Sequence, residues 1–159
     1  MPDHINEMHS FIENTVLHQS LPTELVINEC LANPSKQLEL IGILTGIITF
    51  FQLIDRYMHQ LNIPDAEFKH RACISDAVFH NMQVENYTPS KPTAFKSLIG
   101  LGLGYLDSGA LLEKAGYAFV WTDKRDLVII FCIINNIYNA MEIDELLEAA
   151  GLPCIFNQP

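Results

Sequence analysis

Apolar positions recur along most of this chain every three to four residues, a period that predicts helices almost throughout. Ile5, Met8, Phe11, Ile12 and Val16 define an amphipathic helix from Asp3 to about His18. Leu21-Pro22 breaks it, and Pro22 suits the first turn of a short helix over Thr23–Leu31, with Ser20 as its cap. Past Asn33-Pro34, Ser35 caps the longest helix, about Lys36 to Leu61, with Leu38, Ile41, Leu44, Ile48, Phe51, Ile54, Met58 and Leu61 down one side. Asn62-Ile63-Pro64 ends it, and another helix follows from about Asp65 to Val84, with Ala66, Cys73, Ala77 and Val84 near one face.

The pattern changes after the polar, proline-bearing loop ENYTPSKPT at Glu85–Thr93. The segment AFKSLIGLGLGYL is a glycine-rich helix or bent segment, Asp107-Ser108-Gly109 is a turn, and Ser108 caps a short helix ending at Gly116. Tyr117 to Trp121 alternates as a strand does. Leu127 to Ile134 is an unbroken apolar run, which periodicity alone assigns either to a buried strand or to a buried helix. Thr122 as a cap, acidic Asp123 and Asp126 at the dipole's positive end, and spacing that continues through Ile137, Tyr138 and Met141 favour a core helix over about Asp123–Glu142. Ile143–Ala150 adds an acidic helical turn or two, and the tail LPCIFNQP folds back or pairs at a sheet edge. The expectation is one domain over residues 1–159, with a helical half at 1–85 and a glycine-rich mixed half at 93–159. Its fold class is α+β, predominantly helical: about six helices around a long central one, with a small β element near residues 117–121.

Composition sharpens this picture. Apolar residues make up 49% and charged ones 18%, so the chain can bury a core and is far from disorder. Nineteen acids against nine basic residues give a net charge of -10, a field that repels phosphate backbones and anionic lipid and suits basic protein partners or simple solubility. The four cysteines, Cys30, Cys73, Cys132 and Cys154, lie far apart in apolar contexts and read as reduced, buried thiols rather than a disulfide framework. The N-terminus does not read as a secretory leader, and the apolar run Leu40–Ile54 has about 15 residues where a bilayer needs roughly 20, so a cytoplasmic location is expected.

Candidate chemistry is sparse. Gly42, Thr45, Gly46 and Thr49 form a stripe of small residues on the long helix, and two glycines one turn apart cost helix stability of about 1 kcal/mol each. Such a stripe serves either a buried helix crossing within the fold or a groove for a partner helix. With Trp121, an interface anchor or core-edge aromatic, and Tyr138 further along the core helix, these residues are the candidate partner-binding set. His70, Cys73, Asp76 and His80 fall in one predicted helix, where Cys73, Asp76 and His80 have ligand-compatible spacing for a transition metal; a buried thiol among surface histidines is the plainer reading. The GLGLG run lacks the Lys-Ser or Lys-Thr of a P-loop and the spacing of a dinucleotide turn, so its glycines are read as points of close backbone packing. No nucleophile–base signature is present, and neither a cofactor nor a metal is expected.

The segment SLIGLGLGY, then GYAFVW, then LVIIFCIINNIYNAM and the acidic IDELL, together about Phe95–Leu147, resembles the small acidic adaptor chaperones of the Dot/Icm type IVB secretion apparatus, the IcmS, IcmW and LvgA group. That resemblance covers about a third of the chain. It implies a bacterial, cytosolic, non-enzymatic protein that pairs with another adaptor and with the coupling ATPase or effectors. A hetero- or homo-oligomer is expected, the homodimer being a separate reading in which the long helix supplies the interface. The alternative reading is a small-ligand or metal-binding helical sensor domain built on His70, Cys73, Asp76 and His80.

Overall fold

The computed structural model describes residues 2–18 and 34–157, and among them every regular element is a helix. The expected helix over Thr23–Leu31, its Ser20 cap and Cys30 lie outside the described residues. In chain order the helices are α1 (Pro2–His18), α2 (Pro34–Thr45), α3 (Phe50–Leu61), α4 (Asp65–Ala72), α5 (Asp76–Met82), α6 (Lys91–Leu101), α7 (Tyr105–Lys114), α8 (Lys124–Ile134) and α9 (Ala140–Ala149). The expected α+β class is therefore wrong: the described chain is an all-α bundle.

The strand anticipated at Tyr117–Trp121 is an extended connector between α7 and α8. An extended segment becomes a strand only when another backbone pairs with it, and none of the described residues does so here. Its polar groups are met locally instead: the Tyr117 N–H donates to Leu112 O, and the Val120 N–H donates to the Asp126 carboxylate at 2.7 Å. The alternation that mimicked a strand comes from aromatic packing. Phe119 lies between the rings of Phe95 (6.2 Å, 18°) and Tyr105 (5.3 Å, 15°), and Trp121 meets Tyr105 and Phe11.

Three predicted long helices are each two shorter ones. The Lys36–Leu61 helix breaks at Gly46–Thr49, because Thr49 caps α3 in a reciprocal box: its hydroxyl accepts the Gln52 N–H, and the Gln52 side chain accepts the Thr49 N–H. The Asp65–Val84 helix breaks at Cys73, with Ser75 capping α5. The core helix breaks at Asn135-Asn136, and Asn139 caps α9. α8 is indeed a helix across the ambiguous apolar run, with Asp123 rather than Thr122 as its side-chain cap. α7 likewise starts at Tyr105, earlier than a Ser108 cap would allow; Ser108 is buried and donates to Leu103 O.

One termination device recurs. A residue with positive φ closes the helix, and the apolar residue after it sends its N–H back to a carbonyl five residues earlier: Asn62-Ile63, Cys73-Ile74, Gly102-Leu103, Gly116-Tyr117, Asn136-Ile137 and Gly151-Leu152. Each turn thus satisfies orphan carbonyls and returns an apolar side chain to the protein at once.

The core sits on α6 and α8. α6 is buried from Ala94 to Leu101 apart from a half-exposed Lys96, and α8 is buried from Asp126 to Ile133. α7 lies between them, α2, α3 and α4 pack on the α6–α7 side, and α1 and α9 pack on α8. α4 and α6 cross in tight contact at Ala72 and Gly100. A Cβ on Gly100 would stand 2.7 Å from Ala72 Cβ and 3.0 Å from its backbone nitrogen, so only glycine permits this approach. The tail folds back, as one reading of the sequence had it: Ile155 and Phe156 are buried, and Asp144 accepts the N–H groups of Ile155, Phe156 and Asn157 at 2.9, 3.1 and 2.9 Å.

Candidate functional site

α2 is apolar on two sides at once. Leu40 and Ile43 are buried toward α7, and the other side carries Leu38 (75% exposed), Ile41 (56%) and Leu44 (39%), followed in the turn by a fully exposed Ile47. Leu38, Ile41 and Leu44, expected to share one side with Phe51, Ile54 and Met58, are exposed where Ile54 and Met58 are buried. The break at Gly46 explains the difference: the turn 46–49 interrupts the phase that joined these positions to Phe51, Ile54 and Met58, so each short helix docks by its own register.

Polar contacts hold α2 in this orientation. Lys36 Nζ lies 2.7 Å from Asp107 Oδ2 on α7 and 3.4 Å from Glu39, while the buried Tyr57 hydroxyl on α3 donates to Asp107 Oδ1 at 2.8 Å. Burial opposes the Lys36 charge, but the hydrogen bond and charge of Asp107, with Glu39, outweigh it and leave its pKa above the ordinary lysine value. Burial, then the Asp107 charge, pushes the Tyr57 phenol far up, so it stays a neutral donor. At the far end of α2, Lys114 Nζ donates to Gly46 O at 3.0 Å.

A cleft flanks α2 on each side. One, of about 720 Å³, lies at the α2–α3 turn and includes Gly42, Gly46, Thr49 and Ile47, with Gln52, Asp55 and Arg56 opposite. The other, of about 520 Å³, is walled by Leu40 and Leu44 of α2, by Tyr105, Leu106 and Glu113 of α7, and by Tyr117, Phe119 and Trp121 of the connector.

The candidate partner-binding residues are only partly united. Gly42 and Gly46 are exposed, and a Cβ on Gly42 would touch nothing within 4 Å, so among the described residues the stripe is not a buried helix crossing. Gly46 is needed at the helix end, where a Cβ would fall 2.8 Å from Gly42 O. Thr45 is exposed and its hydroxyl donates to Ile41 O, and Thr49 is the α3 cap. Trp121 is half-buried in the other cleft and donates to the Tyr105 hydroxyl at 3.2 Å. Tyr138 stands apart, its hydroxyl donating to Leu103 O at 2.7 Å as a tie across the α6–α7 turn. The sequence reading missed the outward side of α2; the signal for it was the T-F-F-Q capping box at Thr49–Gln52.

The proposed metal quartet does not converge. Cys73 is the left-handed cap residue of α4, Asp76 is paired with Lys69 at 2.8 Å in the first turn of α5, and no group of three or more His, Cys, Asp or Glu side chains among the described residues is placed to hold a metal ion. The expected burial of the thiols holds for Cys132 alone among the described cysteines: Cys73 is exposed at its helix end and Cys154 is half-buried. Burial raises the Cys132 thiol to about 12, and the Cys154 thiol is raised to about 11 by its hydrogen bond to Glu148. Thiols so raised are weak nucleophiles at neutral pH. No helix among the described residues is long and apolar enough to cross a membrane. No match was found among protein-family models, curated proteins or solved structures.

Proposed function

We propose that the chain is a non-enzymatic protein-binding module of the adaptor or chaperone kind, which receives the apolar side of a partner helix along α2. The observation that carries this reading is the row Leu38, Ile41, Leu44 and Ile47, exposed on an element whose other side is anchored in the core. Fully covering a leucine or isoleucine is worth about 1.5–3 kcal/mol, so burying this row would yield several kcal/mol toward the cost of association. The row steps by three residues, i, i+3, i+6 and i+9, and offers an apolar strip on which the i, i+3, i+4 anchors of a partner helix can lie. The resemblance to type IV secretion adaptors supplies one setting, with a coupling protein or an effector as the partner, although the strand GYAFVW on which it partly drew is a connector here.

Affinity capture from native lysate tests the reading when run in three arms. The unaltered protein and Met141→Glu, whose substitution falls on an exposed apolar residue of α9, should recover the same stoichiometric partner, and Ile41→Glu should lose it. Equal recovery by all three would remove α2 from the interaction, and no recovery by any would count against the function itself.

A further inference from the structure

The cleft between α2, α7 and the connector says more about the partner than the leucine row does. Leu44 belongs to both surfaces, so a helix lying along α2 reaches the cleft mouth without changing direction. Inside, Phe119 is held between Phe95 and Tyr105, and the aromatic surface offered to a ligand is that of Tyr105 and Trp121, which meet edge to face. Glu113 is the one Asp, Glu, Lys or Arg on that wall, it is exposed, and no ion pair to it occurs among the described residues. The neighbouring cation does not pair with it, because Lys114 Nζ is held at Gly46 O, and Lys114 does not line this cleft.

We infer that this cleft seats an arginine of the partner helix, its guanidinium flat against the aromatic wall and its N–H groups on the Glu113 carboxylate. The inference rests on the docking reading above. Guanidinium combines the two properties the wall asks for, a planar face that stacks on aromatic rings and a rigid fork that matches a carboxylate; an ammonium offers only the charge. Charge complementarity points the same way, since the whole chain carries -10 and draws basic segments toward it.

The test uses a synthetic amphipathic peptide with leucine along its apolar side and one arginine at that side's border, and its Arg→Gln counterpart. Trp121 is the only tryptophan and lines the cleft, so its emission reports binding and calorimetry gives the affinity. The arginine peptide should bind more weakly as salt rises, and either Arg→Gln in the peptide or Glu113→Gln in the protein should cost about three- to tenfold in affinity. Both changes together should cost little more than one, since they remove the same contact. If the peptides bind but the two changes act independently or not at all, the arginine site is wrong while α2 docking stands. Binding of neither peptide overturns both. A concentration-dependent dimer abolished by Leu44→Glu would assign the face to a second copy and overturn the arginine seat.

Discussion

Lys91 Nζ stands 2.6 Å from Asp126 Oδ2 in a carboxylate that has no exposed surface. The same oxygen accepts the Val120 N–H, so one buried group fastens the start of α6, the start of α8 and the aromatic connector between α7 and α8. Oδ1 has no hydrogen-bond partner among the described residues. Burial therefore dominates and pushes this carboxyl above the ordinary aspartate range, against the pull of Lys91 and the Val120 N–H.

Removing Lys91 should be costly and its cost should depend on pH. Lys91→Ala leaves a buried, uncompensated charge, and such losses run to about 3–5 kcal/mol. The folded pKa of Asp126 lies above its unfolded value, so its contribution to stability is fully present below the unfolded pKa and is lost as pH rises through the folded one. Without Lys91 the folded pKa moves higher still. Denaturant titrations should thus show a smaller Lys91→Ala penalty near pH 4 than at pH 7, and placing Asp126→Asn in that background should flatten the dependence. A penalty constant with pH would mean that Asp126 does not bind the proton.

Gly100→Ala should destabilise, although alanine is the better helix former by about 1 kcal/mol. Its methyl would meet Ala72 Cβ at 2.7 Å and backbone at 3.0 Å, and overpacking of a tight contact costs about 1–3 kcal/mol. The clash wins because the obstacle is backbone and a methyl, neither of which can swing aside. A lowered midpoint that Ala72→Gly partly restores in the double variant would confirm the crossing.

The legible part of this fold was its helicity and the burial of α8; the illegible part was where helices stop. Thr49, Ser75 and Asn139 each cap a helix inside a stretch whose apolar period runs straight through them, and periodicity registers side-chain phase without registering a change of axis. The GLGLG run was read correctly as close packing at Gly100, while Gly102 is a left-handed cap and Gly104 precedes α7. The connector YAFVW could not be told from a strand because alternation describes any extended segment with one side buried, and only a pairing partner decides. The same blindness to breaks ran Leu38, Ile41 and Leu44 into one side with Phe51, Ile54 and Met58, hiding the outward side of α2.

Cys73→Gly should stabilise. Cys73 holds φ of 52° at the end of α4, a left-handed conformation that costs an ordinary residue about 1–2 kcal/mol and glycine little, and its exposed side chain contributes little packing. A gain approaching 1 kcal/mol, read as a rise of several degrees in melting temperature, is expected. A loss would mean that the thiol does something beyond its place in the turn.

Leu40 and Ile41 are neighbours that should answer the same substitution in opposite ways, which tests the orientation of α2 without knowing any partner. Leu40 is 8% exposed and packs in the core, so Leu40→Glu buries an unpaired carboxylate and should cost several kcal/mol or prevent folding. Ile41 is 56% exposed, and at such positions substitutions fall within about 0.5 kcal/mol. Ile41→Glu should therefore keep the melting temperature and helical circular dichroism of the parent while reducing its binding of a hydrophobic dye. If both variants unfold, the outward side is covered in the folded chain and the leucine row is core after all; if neither does, α2 is not docked through Leu40. Only the divergent result leaves an anchored helix with a free apolar side, the arrangement on which partner binding depends.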